Sequence, residues 1–297
     1  MTPKPPDIRN VSVLGCGLMG AGIAQVCATA GYSTRVREVD SAALGRGRAS
    51  IEKSLGKLVE KGKLTPADRE AALARLSFTT DLAALADSDL VLEAVTEDLA
   101  LKNSLWAELD RLCPPGTIFA SNTSSIPISA MAAATRRPDR FVGLHFFNPV
   151  PLMPLVEVVR PAAASRETFE RSLAFARSLG KETVVAKDAP GFLVNLLLVP
   201  YLLDAVRALE HRVGTVVDID TAMRLGCGYP MGPFTLLDVV GIDTVVRISA
   251  IMFDEYRDPR YEASPLLRRM VAQGRYGRKS GKGFYDYSVD PPAPVEQ

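Results

Sequence analysis

The sequence predicts a two-domain α/β protein, with a doubly wound parallel sheet first and an all-helical domain second. Three observations carry this. Short apolar strand signals alternate with helical periodicity through the first half of the chain. One connection between strands is much longer than a single crossover helix requires. Past residue 187 the patterns become helical. Alternation of this kind closes into a parallel sheet with helices packed on it.

Residues 11–14 form an apolar run that feeds a glycine turn, and 20–30 follow as a helix rich in Ala, Ile and Val. A second strand is expected at 34–39, with further short strands at 78–80, 89–94, 117–121 and 141–147. Between Glu38 and Ser77 the chain is too long for a bare crossover. Ile51, Leu55, Leu58 and Val59 recur there at helical spacing. Thr65-Pro66-Ala67-Asp68 supplies an N-cap residue with proline at the first helical position. A helical hairpin over about 41–76 is therefore expected as an insert in the sheet domain. Asp188-Ala189-Pro190-Gly191 breaks the pattern and divides the chain into domains of 1–187 and 188–297. Beyond the break, helices are expected at 192–211, 217–224, 234–253 and 264–273.

Composition narrows the class. The 297 residues are 47% hydrophobic and 23% charged, the balance of a globular protein with enough chain for two cores. Lys plus Arg is 35 against 34 for Asp plus Glu, so no overall basic character points to nucleic acid. Cys16, Cys27, Cys113 and Cys227 are scattered, without Cys-x-x-Cys pairs or metal-ligand spacing. Free thiols in a reducing cytoplasm and no metal are expected. The polar, proline-rich opening residues carry no secretory pattern. The longest apolar run, 192–203, is too short for a bilayer and is interrupted by Asn195 and Pro200, so no membrane anchor is expected.

Gly15-Cys16-Gly17-Leu18-Met19-Gly20 fits G-x-G-x-x-G between a strand and a helix. In that context Gly15 allows the tight turn, Gly17 lets the backbone approach a pyrophosphate, and Gly20 lets helix and strand pack closely. The helix N-terminus offers unpaired N–H groups to phosphates. This is the signature of a Rossmann domain. Glu38, 18 residues past Gly20, stands where an acid accepts hydrogen bonds from the adenosine ribose. An acid there repels a 2′-phosphate and favours NAD over NADP, while the neighbouring Arg35 and Arg37 pull the other way.

Open α/β sheets bind ligands beyond the carboxyl ends of their strands, and polar residues gather there. The fourth strand is expected to end at Glu97 and the fifth in Ser121-Asn122-Thr123-Ser124-Ser125, and the sixth carries His145 into Asn148-Pro149. His145 sits in an apolar strand, as does Glu157 in Leu155-Val156-Glu157-Val158-Val159. An unpaired carboxylate in such a strand is costly, so the two are expected to partner each other. A carboxylate on one ring nitrogen fixes the tautomer and leaves the other nitrogen as a general base. Asn195 is a similar polar anomaly in Phe192-Leu193-Val194-Asn195-Leu196, readable as a buried core tether or as a cleft residue.

With these motifs in view, the chain resembles the 3-hydroxyacyl-CoA dehydrogenases, including the bacterial 3-hydroxybutyryl-CoA dehydrogenases, from about residue 8 to 288. The matching stretches are GCGLMGAGIAQ (15–25), ASNTSSIPIS (120–129), GLHFFNPVPLMPLVEVV (143–159), DAPGFLVN (188–195), DIDTAMRLGCGYPMGPFTLLDVVGID (218–243) and GRKSGKGFYDY (277–287). The resemblance implies His145 as catalytic base, Glu157 as its orienting carboxylate, Ser124 on the substrate hydroxyl and Asn195 near the reacting groups. It implies cofactor contacts at Glu97, Lys102, Ser124, Asn148 and Lys279, and CoA contacts at Ser54 and Lys61 on the inserted hairpin. Lys53, Lys57 and Lys61 recur every four residues and share one helix face, suited to CoA phosphates or simply to solvent.

The implied reaction moves a hydride from C3 of the hydroxyacyl-CoA to NAD while His145 takes the hydroxyl proton. A homodimer built through the C-terminal domain is also implied. Leu196 and Pro154 replace the more usual Arg and Lys, which leaves the acyl preference open; Glu38 replaces the more usual Asp, which keeps the charge and the NAD preference. Two other readings fit the same residues: a dehydrogenase of a non-CoA hydroxy acid of carnitine or sugar-acid type, and a dinucleotide-binding protein without turnover.

Overall fold

The computed structural model describes residue 5 and residues 7–295; part of the opening segment on which the leader reading rests lies outside them. The chain divides into two compact units, with the break between Ala189 and Pro190.

The first unit is built on one eight-stranded sheet: β1 (Asn10–Leu14), β2 (Ser33–Arg37), β3 (Leu76–Thr79), β4 (Leu90–Glu93), β5 (Ile118–Ser121), β6 (Phe141–Phe146), β7 (Leu155–Arg160) and β8 (Glu182–Lys187). Its order is β3-β2-β1-β4-β5-β6-β7-β8. The helices are α1 (Leu18–Thr29), α2 (Ser41–Glu60), α3 (Pro66–Ala74), α4 (Leu99–Leu112), α5 (Ile128–Ala132) and α6 (Arg166–Ser178). Every residue of β4, β5 and β6 is buried, which is why these strands read as near-continuous apolar runs. The order reverses between β1 and β4, making the switch point where such sheets bind ligands.

The expected hairpin is α2 and α3. Asp40 caps α2 by accepting from the Ala43 N–H, and Thr65 caps α3 by accepting from the Asp68 N–H, with Pro66 at the first helical position. The hairpin docks on the glycine loop: a Cβ on Gly47 would lie 2.1 Å from Cys16 Sγ.

The sheet is not wholly parallel. β6 and β7 pair antiparallel, because only eight residues, 147–154, join them and a parallel crossover needs a dozen or more. β8 pairs parallel with β7, with α6 as the crossover. Neither α6 nor β8 announces itself in the sequence. α6 is polar on much of its surface, and β8 buries only Ala186 fully.

The second unit holds α7 (Val194–Glu210), α8 (Val216–Gly226), α9 (Pro233–Val240), α10 (Ile242–Tyr256) and α11 (Pro265–Ala272) around a core that includes Leu202, Phe234, Leu267 and Phe284. The helix expected over 234–253 is two helices, broken at Gly241, whose φ of 100° is open to glycine and strained for other residues. Nor is the unit all-helical. β9 (Tyr285–Asp286) and β10 (Ala293–Pro294) form a small antiparallel pair. Asp238 fixes this segment by accepting from the N–H groups of Phe284 and Tyr285 and from the Tyr287 hydroxyl. Burial, more than any neighbour, raises the Asp238 carboxyl above its ordinary value. Among the described residues, no helix is long and apolar enough to cross a membrane.

Candidate active site

The glycine loop has the shape that a dinucleotide requires. Gly15 has φ 92°, and a Cβ there would lie 2.6 Å from the Ala94 carbonyl oxygen. A Cβ on Gly20 would lie 1.9 Å from the Gly15 carbonyl oxygen, so loop and helix meet backbone to backbone. Gly17 differs: a Cβ there would meet nothing within 4 Å. Its missing side chain leaves open space in front of the first turn of α1, where Leu18, Met19 and Gly20 lie. First-turn N–H groups have no partner within their own helix. Leu18 is exposed, and Met19 packs against the core.

Glu38 follows β2 directly. Its carboxylate accepts from the Cys16 N–H at 2.8 Å and from its own neighbour, the Val39 N–H, at 2.7 Å. The acid therefore sits at the edge of the glycine loop, where a ribose would meet it. Burial and the nearby Glu38 charge push the Cys16 thiol up to about 11. Arg35 is engaged elsewhere, with Asp87 and the Ala84 carbonyl, and Arg37 donates to the Thr80 carbonyl. The residues fit an NAD: the open space at Gly17 would admit its pyrophosphate, and Glu38 would hold its ribose.

β4 ends at Glu93, and Glu97 lies in the loop before α4 rather than at the strand end. Glu93 was not singled out in the sequence, although it is a carboxylate in an apolar strand just as Glu157 is. It is fully buried and accepts from Lys102 Nζ at 2.7 Å, from Ser121 Oγ at 2.6 Å and from the Val95 N–H at 2.8 Å. Lys102 is buried and also reaches Glu97 at 3.1 Å. Glu97 in turn accepts from Thr123 Oγ1 at 2.9 Å and from the Ser124 N–H at 3.1 Å. One hydrogen-bonded chain thus runs from β4 through α4 to the serine loop and sets the position of Ser124. Asn122 closes the loop onto β6 by accepting from the Phe146 N–H at 2.8 Å.

His145 and Glu157 face each other as a register pair of the antiparallel β6–β7 ladder. His145 Nδ1 lies 2.6 Å from Glu157 Oε2. Glu157 is fully buried and His145 nearly so. An ionised carboxylate only accepts hydrogen bonds, so Nδ1 is assigned the proton and Nε2 becomes the basic nitrogen. The Phe147 ring packs on the imidazole, with centroids 4.5 Å apart.

Ser54 and Asn148 line one cleft together, while Lys61, the C-terminal cap of α2, is exposed beyond it. Asn195 and Lys279 belong to the second unit. Asn195 lies in the first turn of α7 and is half-buried, not sealed in an apolar core as one sequence reading allowed. Lys279 is exposed and pairs with Asp243 at 2.6 Å.

Comparison with known proteins agrees over nearly the whole chain. Residues 10–189 match the 3-hydroxyacyl-CoA dehydrogenase NAD binding domain, and residues 191–287 match that family's C-terminal domain. A 3-hydroxybutyryl-CoA dehydrogenase of Mycobacterium tuberculosis is 50% identical over 282 residues, covering 94% of this chain and 99% of that one. The human mitochondrial hydroxyacyl-coenzyme A dehydrogenase is 47% identical, covering 94% and 91%. The crystal structure of (S)-3-hydroxybutyryl-CoA dehydrogenase from Ralstonia eutropha superposes with a TM-score of 0.91 at 42% identity, covering 95% and 100%. The chain belongs to the 3-hydroxyacyl-CoA dehydrogenase family and is an NAD-dependent dehydrogenase of that class.

Proposed function

We propose that this protein interconverts short-chain (S)-3-hydroxyacyl-CoA, of the 3-hydroxybutyryl type, and the corresponding 3-oxoacyl-CoA, with His145 as the catalytic base. The observation that carries this is the buried His145–Glu157 pair next to the serine loop of the NAD-binding sheet. Bound NAD would supply the hydride acceptor for C3. In the oxidative direction His145 Nε2 takes the hydroxyl proton, and Glu157 stabilises the imidazolium that results. Ser124, set by Glu97, holds the substrate oxygen. Asn195, by its place in the family pattern, steadies the carbonyl that develops. The remaining assignments are cofactor contacts at Glu38, Glu97, Lys102, Asn148 and Lys279, and CoA contacts at Ser54 and Lys61.

Glu38 supports NAD over NADP, and the engagement of Arg35 with Asp87 removes one cation from the ribose corner. Leu197, Val213 and Leu225 lie exposed on the second unit, and such apolar side chains suit the proposed homodimer. The four free cysteines fit a reducing cytoplasm. The test follows absorbance at 340 nm as the protein reduces acetoacetyl-CoA with NADH or NADPH, beside His145→Ala. Turnover with NADH that collapses at least about 100-fold in the variant is expected, the scale of a lost general base. Equal turnover by His145→Ala refutes the assignment of the base, and preference for NADPH refutes the reading of Glu38.

A further inference from the structure

Lys102 is buried and paired twice, with Glu93 at 2.7 Å and with Glu97 at 3.1 Å. One carboxylate is enough to neutralise it. Glu93 has no exposed surface, and a second buried charge is costly unless something else offsets it. Among the described residues, the groups that bond these two acids are donors. Glu93 accepts from the Lys102 ammonium, the Val95 N–H and the Ser121 hydroxyl. Glu97 accepts from the same ammonium, the Thr123 hydroxyl and the Ser124 N–H. An ionised carboxylate only accepts, whereas a protonated one has an O–H to donate, so both acids are assigned as carboxylates.

Two carboxylates against one ammonium leave one negative charge in surplus. No other Lys or Arg among the described residues pairs with either acid. The start of α4 adds a partial positive charge nearby, but its own cap meets it: Asp98 accepts from the Leu101 N–H at 3.0 Å. The surplus stands in a largely buried setting, where a charge acts over a longer range than in water. Its part-exposed member, Glu97, is one hydrogen bond from Ser124. Under the reading above, Ser124 holds the substrate oxygen on the carbon that gives up its hydride. Hydride transfer brings the nicotinamide ring to that carbon. The ring is a cation in NAD+ and neutral in NADH.

We propose that Glu93 supplies the surplus negative charge that shifts the cofactor site's balance toward NAD+ over NADH, which makes it a specificity-determining residue for the oxidation state of the cofactor. With no exposed surface, it acts through its charge and not through contact. The proposal rests on the assignment of the serine loop to the reacting end of the cofactor.

The experiment measures Kd for NAD+, NADH and ADP-ribose by titration calorimetry, and Tm, on wild type, Glu93→Gln, Glu97→Gln and Ser121→Ala. ADP-ribose carries the adenosine and both phosphates but no nicotinamide. Even at about 15 Å, a unit charge in an effective dielectric of about 20 is worth about a sixfold change in affinity. Glu93→Gln is therefore expected to raise Kd for NAD+ by about three- to tenfold relative to Kd for NADH. NADH and ADP-ribose are expected to change alike, since neither carries the cation. An unchanged ratio of NAD+ to NADH overturns the proposal. So does an equal loss of NAD+ and NADH with ADP-ribose unmoved, which makes the effect one of shape. Glu97→Gln removes the same charge from the part-exposed end and is expected to move the ratio the same way. It decides the matter if Glu93→Gln does not fold, and an unchanged ratio there overturns the proposal as well. Ser121→Ala removes a hydrogen bond on Glu93 but no charge, so a lower Tm with the wild-type ratio is expected. A ratio shift equal to that of Glu93→Gln assigns the effect to hydrogen bonding and overturns the role of charge. Failure to reduce acetoacetyl-CoA sinks the acyl-CoA reading alone, because the three Kd values are measured without substrate.

Discussion

Replacing Glu157 with Gln removes a charge while keeping size and shape in a site with no exposure. At the observed 2.6 Å, opposite unit charges in an effective dielectric of about 20 attract by about 6 kcal/mol. Desolvation of the pair offsets part of this, and net losses from deleting one charged partner of a hydrogen bond run at about 1.5–3 kcal/mol. The charge on His145 forms only as the hydroxyl proton moves, so the loss falls on the transition state. It converts to about a 10- to 150-fold fall in kcat. If the new amide turns its NH₂ toward Nδ1, the imidazole is forced into the wrong tautomer, and the fall approaches about 10⁴-fold, the cost measured for such an inversion in a serine protease triad. The assay is the 340 nm reduction of acetoacetyl-CoA at saturating NADH, with the Kd for NADH measured separately and expected to be unchanged. A kcat within about threefold of wild type, well under the smallest loss expected, would refute the reasoning. A loss confined to KM would do the same, since it would make Glu157 a binding residue rather than a stabiliser of the transferring proton.

Two further outcomes follow from other parts of the first unit. Gly17→Ala adds a methyl that touches nothing, so Tm is expected to hold while Kd for NADH rises about tenfold or more, a loss of about 1.4 kcal/mol; Gly20→Ala drives its methyl into the Gly15 carbonyl and is expected to lower Tm itself. Equal Tm losses in the two variants would contradict this division of roles. Asp110 concerns pH. Burial acts to raise its carboxyl, but hydrogen bonds and charge from Arg136 and Arg137 outweigh that and hold it below the ordinary value. Its contribution is thus fully present above the unfolded value of about 3.9 and is lost as pH falls through the lower folded value. Arg137 is itself largely buried, so Asp110→Asn is expected to cost about 3–5 kcal/mol at neutral pH. The gap to wild type should begin to narrow as pH falls below about 4 in urea titrations, and a gap constant with pH would refute the linkage.

Much of the candidate site could be read along the chain because its chemistry is local. A G-x-G-x-x-G run between strand and helix needs only neighbouring residues to form its turn, and Thr65-Pro66 marks a helix start through its own N-cap. A histidine and a glutamate in separate apolar strands declare a shared problem of burial. Each needs a partner, and the short link between their strands places them near one another. Family motifs added roles for Ser124, Asn195 and Lys102 that periodicity does not contain.

Other features depend on groups far apart in sequence. The partnering of Glu93, Lys102, Glu97 and the Ser124 loop joins residues up to about 30 positions apart, and its meaning lies in which oxygen meets which nitrogen after the sheet has closed. Gly47 and Cys16 become neighbours only when the hairpin docks, and glycine there is a requirement of close packing, not of φ. The antiparallel turn at β7, the polar surface of α6 and the thin burial of β8 left weak local traces because these elements lie toward one edge of the sheet. Strand and helix identity, the glycine turn and the His145–Glu157 pair follow from local pattern and the cost of burying a charge. Which polar groups meet which, as in the chain from Glu93 to the Ser124 loop, is decided only by tertiary packing, because partnering is a property of neighbours and not of a residue.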